Sequence, residues 1–275
     1  MTDIIIGFGE VGKALVQVLG ERTDIAIHDP QKGYEAKRER TLYDENTPYP
    51  ASVPIEYDWM HIAYPWHKEF VTTTLFYWLE FLPKHVVIHS TVPVGTMSQT
   101  VSGLEQPDAR ASITYSPVRG IHPNIARYLR EFPKWYATTD KDEAKAVEDL
   151  FHSCGMQTRR APSFECLETM KLYETTEYGY RIALWQEIER QNARYEVRGG
   201  ANESESLTAI KEWLFEKRKV YDGDRGLAPI MFGGVIGGHC VAQNWELLRQ
   251  SGALSPQLYR WLKESNEMRK GEIGE

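Results

Sequence analysis

A glycine-dense stretch near the end of the chain carries a cysteine with features of a reactive thiol. Gly237 and Gly238 precede His239 and Cys240. The thiolate is the reactive form of cysteine, and small neighbours beside a histidine leave room for a substrate to reach it. The pattern therefore permits an exposed, reactive thiol at Cys240, with His239 as a candidate substrate contact. The alternative is that Cys240 is a small buried residue without a chemical role.

A second glycine pattern lies at the N-terminus. It runs Gly7, Phe8, Gly9, Glu10, Val11, Gly12, directly after the apolar run Ile4-Ile5-Ile6 and at the start of a helical pattern. In such a turn the first glycine permits a tight bend, the second lets backbone amides approach a pyrophosphate, and the third lets the helix pack on the strand. The helix N-terminus adds oriented N–H groups and partial positive charge. We predict a dinucleotide site here; the alternative is a glycine turn without a ligand.

An acidic residue at the end of the second predicted strand narrows the choice of coenzyme. Asp29 follows Gly9 by twenty residues. A carboxylate there accepts hydrogen bonds from the ribose hydroxyls of NAD and repels the 2′-phosphate of NADP. The sequence therefore favours NAD, although the nearby Lys32 weakens that preference.

Further candidates follow other predicted strands. Tyr64, Pro65, Ser90 and Thr91 are expected to border the coenzyme. Arg119 and His122 follow a later strand, where crevices of parallel α/β sheets receive substrate. These two side chains could bind an anionic group, but they could equally be loop residues without a role.

The elements that must position these residues form an alternating pattern in the first half of the chain. Short β-branched runs alternate with amphipathic stretches, which predicts an α/β fold, a Rossmann-type doubly wound parallel sheet. The predicted strands are 4–6, 24–28, 59–64, 85–89, 111–115, 135–139 and 156–160, and the predicted helices are 11–19, 67–82 and 142–152. Between Gln31 and Asp58 the sequence is polar and proline-bearing with little periodicity, so the usual second helix and third strand of such a sheet are expected to be eroded.

The second half has a different character. Residues 163–195 form one long helical pattern, followed by a further helix near 204–217 and a closing helical region. We therefore predict a dinucleotide-binding domain over 1–160 and a small, mainly helical substrate and dimerisation domain over 161–275. A helix of that length is costly to leave in water, which predicts a homodimer through 163–195.

Bulk properties exclude several classes. The formal net charge of −7 gives no electrostatic drive toward nucleic acid or an anionic membrane. No apolar run approaches the roughly 20 residues of a membrane span, and no residue spacing indicates a metal. The three cysteines, Cys154, Cys166 and Cys240, form no CxxC pair, which favours a reduced cytoplasmic setting. Cys154 and Cys166 are expected to be core or helix residues.

Four stretches together resemble a known family. They are the glycine turn with Asp29, the segment Ser90-Thr91-Val92-Pro93-Val94-Gly95-Thr96, Lys171 on the long helix, and Gly237-Gly238-His239-Cys240. In sequence, spacing and order they resemble the UDP-glucose/GDP-mannose dehydrogenase family, especially its UDP-N-acetyl-hexosamine branch. The resemblance runs from the N-terminus to about Leu248.

The resemblance implies an activity and residue roles. Family members oxidise a sugar-nucleotide C6 alcohol to a carboxylate with two NAD, a step of nucleotide-sugar metabolism. By this resemblance Cys240 would capture the intermediate aldehyde as a thiohemiacetal, Lys171 would stabilise the developing alkoxide, and Thr91 would order a water or the substrate. Lys171 could instead be a solvated helix lysine paired with Glu168 or Glu174.

The chain also departs from the family pattern. The family has an aspartate four residues after the cysteine, where this chain has Asn244. Four residues after the lysine the family has asparagine, and this chain has Thr175. A Pro-Glu pair is replaced by Pro117-Val118, and the chain stops about where the family's C-terminal nucleotide-binding domain would begin. Asn244 would keep the hydrogen-bonding shape without accepting a proton, and Thr175 is a candidate substrate contact.

Three functions stay open at this level. The first is an NAD-dependent dehydrogenase that oxidises an alcohol of a small polar or sugar-like substrate. The second is a single two-electron step like that of 3-hydroxyacid dehydrogenases, which the lost carboxylates favour. The third is a protein that binds NAD without catalysis and works as a sensor or partner subunit.

Overall fold

The computed structural model describes residues 2–37, 39–42, 51–104, 112–120, 123–199, 203–221, 234–237 and 241–274. The chain divides into two compact units, residues 1–171 and 172–275. The boundary between them falls inside one long helix, directly after Lys171.

The first unit alternates strands and helices. Its strands are β1 (Thr2–Ile6), β2 (Asp24–His28), β3 (Glu39–Leu42), β4 (Ala51–Pro54), β5 (Trp59–Ile62), β6 (His85–Ile88), β7 (Ser112–Tyr115), β8 (Lys134–Tyr136) and β9 (Thr158–Arg160). Its helices are α1 (Glu10–Leu19), α2 (Phe70–Phe81), α3 (Thr96–Leu104), α4 (Ile125–Glu131), α5 (Lys141–Ser153) and the start of α6 (Phe164–Gly199). A short 3-10 turn, Pro30–Lys32, follows β2.

The main sheet has the strand order β2-β1-β5-β6-β7, and all of its neighbours are parallel. The chain moves from β1 to β2 on one side and then returns to β5 on the other side of β1. This reversal is a topological switch point, the place where open parallel sheets bind ligands at the carboxyl ends of their strands. Because the strands are parallel, the segments that follow β1, β5, β6 and β7 all lie at that same edge.

Alternate strand residues face opposite layers of the core. Ile4, Ile6 and Ile88 pack on one face with side chains from α2 and from the start of α6, including Phe70, Phe81 and Leu167. Ile5 and Val87 pack on the other face with α1, α4 and α5. The two covered faces explain why these strands are continuously apolar, as parallel strands in doubly wound sheets are.

The second unit is helical in its described part. It contains the rest of α6, then α7 (Glu203–Tyr221), α8 (Gln243–Gln250) and α9 (Pro256–Ile273). Ser255 caps α9, since its hydroxyl accepts the Leu258 N–H at 3.3 Å and proline occupies the next position. Within the described ranges, no helix is long and apolar enough to cross a membrane.

The doubly wound parallel sheet predicted from the sequence is confirmed. Between Gln31 and Asp58 the structure adds the antiparallel pair β3–β4, which the sequence did not predict and which lies outside the main sheet. Helices α3 and α4 were also missed. The α3 sequence is rich in serine, threonine and glycine, and α4 has only seven residues, so neither shows a strong apolar period.

Candidate active site

The glycine turn and the end of β5 approach each other closely at the switch point. Gly7 has a φ of 95°, and a Cβ there would lie 2.8 Å from the amide nitrogen of Tyr64. A Cβ at Gly12 would overlap the carbonyl oxygen of Gly7. A Cβ at Gly9 would instead meet no atom of the described residues within 4 Å. Two glycines therefore permit backbone packing, while the middle one faces open space, as a pyrophosphate cradle requires.

The carboxylate of Asp29 lies against this turn. Asp29 directly follows β2, and its Oδ2 accepts the Phe8 N–H at 2.8 Å. Glu10 begins α1 and pairs with Lys13 at 3.2 Å, while Val11 packs partly buried against the core. Two of the predicted coenzyme residues, Phe8 and Asp29, are thus bonded to each other at the carboxyl ends of β1 and β2.

Tyr64 and Ser90 join two neighbouring strand ends. The Ser90 hydroxyl donates to the Tyr64 carbonyl oxygen at 2.6 Å. The Tyr64 hydroxyl lies 2.6 Å from the Thr74 Oγ1 on α2, and burial raises the pKa of that phenol well above its ordinary value. Pro65 is exposed and Thr91 is half-buried. These four predicted residues lie at the carboxyl ends of β5 and β6, the edge that carries the glycine turn.

A buried carboxylate on α6 holds the segment after β6. Glu168 is fully buried, and its two oxygens accept the Gly95 N–H at 2.7 Å and the Met97 N–H at 2.8 Å. Burial raises the pKa of Glu168 to about 7, although both amide hydrogen bonds act in the opposite direction. Lys171 lies three residues further along the helix, about one turn away, and is half-buried. Glu168 therefore anchors the helix that carries Lys171 to the Gly95–Met97 turn, which follows Thr91 in the same segment.

A second lysine is buried beneath the segment that follows β7. Lys134 is 4% exposed, and its Nζ donates to the carbonyl oxygens of Ser116 at 2.6 Å and Pro117 at 3.0 Å. Burial, followed by the positive charge of Lys171, holds the pKa of Lys134 well below its ordinary value. Lys134 therefore holds the backbone that follows β7 through two hydrogen bonds to its carbonyl oxygens.

Two histidines continue this buried polar chain. His89 Nδ1 lies 3.1 Å from the Ser116 carbonyl oxygen, and His89 Nε2 lies 3.0 Å from His61 Nδ1. Because a carbonyl only accepts, His89 must donate from Nδ1 and accept at Nε2 from His61. Burial lowers the pKa of His61 to about 3, which agrees with neutral rings. The histidine pair therefore holds the Ser116 carbonyl oxygen in place.

Of the two substrate residues predicted after β7, the structure describes Arg119 but not His122. The Arg119 guanidinium carbon lies 4.7 Å from the centre of the Phe132 ring, a cation–π contact. His122 lies outside the described residues. Val118 is 8% exposed and packs in the core on the α1 side of the sheet. The position where the resembling family has a glutamate therefore contributes an apolar core side chain.

In the second unit, two predicted residues contact each other. The Asn244 amide donates to the Thr175 Oγ1 at 2.9 Å, and the Thr175 hydroxyl donates to the Leu172 carbonyl oxygen at 3.1 Å. Asn244 is 4% exposed. The two departures from the family pattern thus form one hydrogen-bonded pair.

The glycine-dense segment of the second unit is held by side chains that sequence reasoning missed. Asn266 accepts the Ile236 N–H at 2.6 Å and donates to the Ile236 carbonyl oxygen at 3.0 Å. Gln186 donates to the Gly234 carbonyl oxygen at 2.7 Å. His239 and Cys240 lie outside the described residues, so their predicted roles stay predictions.

Glu168, Lys134 and Asn266 are the main residues that the sequence analysis did not select for a site. Glu168 appeared only as a possible partner of Lys171, and its spacing gives no sign of the two distant amides. Lys134 and Asn266 form hydrogen bonds with residues that are 17 and 30 positions away in the sequence, respectively. No local pattern could have revealed such contacts. Within the described ranges, no three His, Cys, Asp or Glu side chains are grouped to hold a metal ion.

Comparisons with known proteins bear on the fold. No family model and no curated protein matches the sequence. Among solved structures, the UDP-D-ManNAc dehydrogenase of Pyrococcus horikoshii superposes with a TM-score of 0.73 at 16% identity, over 100% of this chain and 70% of that one. The UDP-N-acetyl-mannosamine dehydrogenase of Staphylococcus aureus gives 0.66 at 17% identity, over 99% and 69%. The chain has the fold of the nucleotide-sugar dehydrogenases.

A dehydrogenase of another substrate class shares this fold. The 3-hydroxyisobutyrate dehydrogenase of Mycobacterium tuberculosis, in a structure with L-serine, superposes with a TM-score of 0.60 at 13% identity. The likeness covers 100% of this chain and 94% of that one. The architecture is therefore common to both families that the sequence brought to attention.

The raised pKa of Glu168 predicts a pH dependence of stability. An acid whose pKa is higher in the folded state than in the unfolded state stabilises the fold at low pH, and this contribution is lost as pH rises. For Glu168 the loss runs from its ordinary value of 4.5 to about 7. We expect the free energy of unfolding of the native chain, minus that of Glu168→Gln, to fall between pH 4.5 and pH 7. Urea denaturation at several pH values measures this difference, and parallel curves would contradict it.

The buried Asn244 predicts the effect of restoring the family's aspartate. Asn244→Asp places a carboxylate beside a threonine whose hydroxyl already donates to Leu172. We expect a loss of about 1–3 kcal/mol of stability at pH 8 because the buried carboxylate lacks a donor. The loss should shrink near pH 4, where the protonated acid can donate to Thr175. Gln243→Glu makes the same exchange at an exposed position of α8 and serves as the control; an equal loss in both variants would refute this explanation.

Proposed function

We propose that this chain is an NAD-dependent dehydrogenase that acts on a CH–OH group of a small polar or sugar-like substrate. The observation that carries the proposal is the Glu168 contact, which anchors the Lys171 helix to the segment of Ser90 and Thr91. That segment follows β6, at the sheet edge that also carries the glycine turn. A coenzyme cradle and a helix lysine therefore belong to the same structural unit.

The residues present fit a nicotinamide dinucleotide. The open face at Gly9 and the N-terminus of α1 would hold the pyrophosphate, and Asp29 would accept hydrogen bonds from the adenosine ribose. Tyr64, Pro65 and Ser90 would border the coenzyme along the ends of β5 and β6. When bound, the coenzyme supplies the acceptor for a hydride from the substrate carbon.

Lys171 and Thr91 would act on the substrate oxygen. An ammonium group close to the reacting alcohol favours its alkoxide form, because the positive charge stabilises the negative charge that develops on oxygen. Thr91 would orient the substrate or a water by its hydroxyl. Lys134 supports the neighbouring Ser116–Pro117 backbone, where Arg119 would contact an anionic part of the substrate.

The fuller version of this function is a four-electron oxidation. Cys240 would capture the aldehyde as a thiohemiacetal. His239 and Thr175 would contact the substrate, and the Asn244 amide would help to orient the substrate by hydrogen bonding. The neighbours from Pyrococcus horikoshii and Staphylococcus aureus are dehydrogenases of UDP-linked N-acetyl-mannosamine, so a sugar nucleotide is the first substrate class to test.

A single two-electron oxidation is the second candidate, and two observations favour it. Val118 is part of the core, and Asn244 is bonded to Thr175, so neither position of this chain supplies a carboxylate for hydrolysis of a thioester. The hydroxyisobutyrate dehydrogenase, which acts on a hydroxyacid, shares the fold over nearly its whole length.

The count of NADH formed per substrate distinguishes the two candidates. The purified chain is incubated with NAD and, in turn, UDP-N-acetyl-hexosamines, UDP-glucose, GDP-mannose and 3-hydroxyacids, and the absorbance of NADH is followed to completion. Two NADH per substrate support the four-electron oxidation, and one supports the single step. Tight NADH binding without turnover on any of these compounds would indicate a non-catalytic sensor instead.

We expect Lys171→Met to lower kcat by about 10²-fold or more while the dissociation constant of NADH changes little. The physical reason is that the lost ammonium stabilises only the developing oxyanion. Lys145→Met removes a well-exposed lysine that pairs with Asp149 and should leave both values unchanged. Unchanged turnover in Lys171→Met would contradict the assigned role.

We also propose a homodimer formed through α6, in a reduced cytoplasmic setting. Several large side chains of this helix are exposed, namely Met170, Tyr173, Tyr178 and Leu184. In the described part of the chain, Cys154 and Cys166 are free thiols, which suits that setting.

Covering the exposed side chains of α6 would remove apolar surface from water. We expect light scattering at micromolar concentration to give twice the mass of 31.7 kDa, and Leu184→Glu to shift the population toward the monomer. Leu79→Glu, at an exposed position of α2, is the control. A monomeric native chain would refute the proposed dimer.

A further inference from the structure

The segment after Asp29 folds back on the glycine turn. The Asp29 N–H donates to the Tyr34 carbonyl oxygen at 2.8 Å, and the Tyr34 N–H donates to the Asp29 carbonyl oxygen at 3.1 Å. The short 3-10 turn Pro30–Lys32 lies between them. The rings of Phe8 and Tyr34 pack edge to face with centroids 4.9 Å apart. The position of Lys32 is therefore set by backbone bonds and an aromatic contact.

The Lys32 ammonium contacts the glycine turn and the Asp29 carboxylate. Its Nζ donates to the Phe8 carbonyl oxygen at 2.7 Å and lies 3.8 Å from the Asp29 Oδ2. The side chain of Lys32 is 49% exposed, whereas that of Asp29 is 14% exposed. The carboxylate thus has a positive charge beside it, and that charge remains accessible from solvent.

This pairing changes how the site treats a 2′-phosphate. A lone carboxylate at this position repels the phosphate, and a basic side chain nearby accommodates it. Here the Lys32 ammonium, 3.8 Å from the Asp29 carboxylate, offsets part of the repulsion that the carboxylate exerts on an incoming phosphate. A phosphate could also draw the solvent-exposed ammonium toward itself, since lysine is a flexible point charge.

We propose, on the basis of the function proposed above, that Lys32 makes the ribose site accept a 2′-phosphate, so that the chain binds NADP(H) as well as NAD(H). Lys32 is then a specificity-determining residue of the coenzyme site. Exposed Lys37 adds a further positive charge to the same segment, although Glu35 is exposed there as well.

Titration of NADH and NADPH into the purified full chain, followed by coenzyme fluorescence, tests this inference without any substrate. We expect the two dissociation constants of the native chain to agree within about tenfold. Lys32→Met should weaken NADPH by about tenfold or more and change NADH by less than about threefold. Asp29→Asn should tighten NADPH relative to NADH because the remaining negative charge is gone.

Lys84→Met is the matched control, since Lys84 is 58% exposed and pairs with Asp58 at the opposite edge of the sheet. It should leave both coenzymes unaffected. An NADPH constant more than about tenfold above that of NADH in the native chain would overturn the inference, as would equal weakening of both coenzymes by Lys32→Met. Neither result would affect the proposed function. If NADH itself does not bind, the proposed function fails and the inference fails with it.

Discussion

The buried carboxylate of Glu168 is the contact on which the arrangement of the first unit depends. A carboxylate without exposure is costly, and two backbone amides of the Gly95–Met97 turn reduce that cost by donating to its two oxygens. The same bonds fix the start of α6 against the segment after β6. Any chemistry of Lys171 or Thr91 therefore relies on a charge that the fold tolerates only because these amides point at it. Burial still raises the pKa of Glu168 to about 7, because the two amide hydrogen bonds offset only part of the cost of removing the charge from water.

The segments at the carboxyl ends of the strands are held in place by two different kinds of contact. In the glycine turn, Gly7 and Gly12 have no side chains, and this lets backbone segments pack directly against each other. The segment after β7 relies on buried donors instead, because Lys134 and His89 bind the Ser116 carbonyl oxygen. Backbone groups at the ends of parallel strands lack partners from the sheet, so each must be satisfied by a side chain, water or ligand. The residues that satisfy them here also shape the space that a coenzyme and substrate would occupy.

The departures from the resembling family have structural explanations. Val118 contributes to the core, and Asn244 bonds to Thr175, so both positions are integrated into the packing of this chain. At two positions where the chain departs from the family pattern, Asn244 and Thr175 form a hydrogen-bonded pair with each other. These departures support the proposed single two-electron oxidation, since neither Val118 nor Asn244 supplies a carboxylate. At the predicted ribose site, the positive charge of Lys32 offsets part of the negative charge of Asp29, the residue expected to select NAD.

The sequence by itself determined the alternation of strands and helices in the first half, the glycine turn, the acidic residue after β2 and the long helix. Each of these depends on local spacing, which periodicity and glycine chemistry express directly. It could not supply β3 and β4, which have only four residues each within a polar, proline-bearing stretch, or α3 and α4, which are short or weakly apolar. Only the tertiary structure decided that Glu168 holds Gly95, that Lys134 holds Ser116 and that Asn266 holds Ile236. Those contacts join residues far apart in the chain, and their stability comes from burial, which exists only once the core has formed.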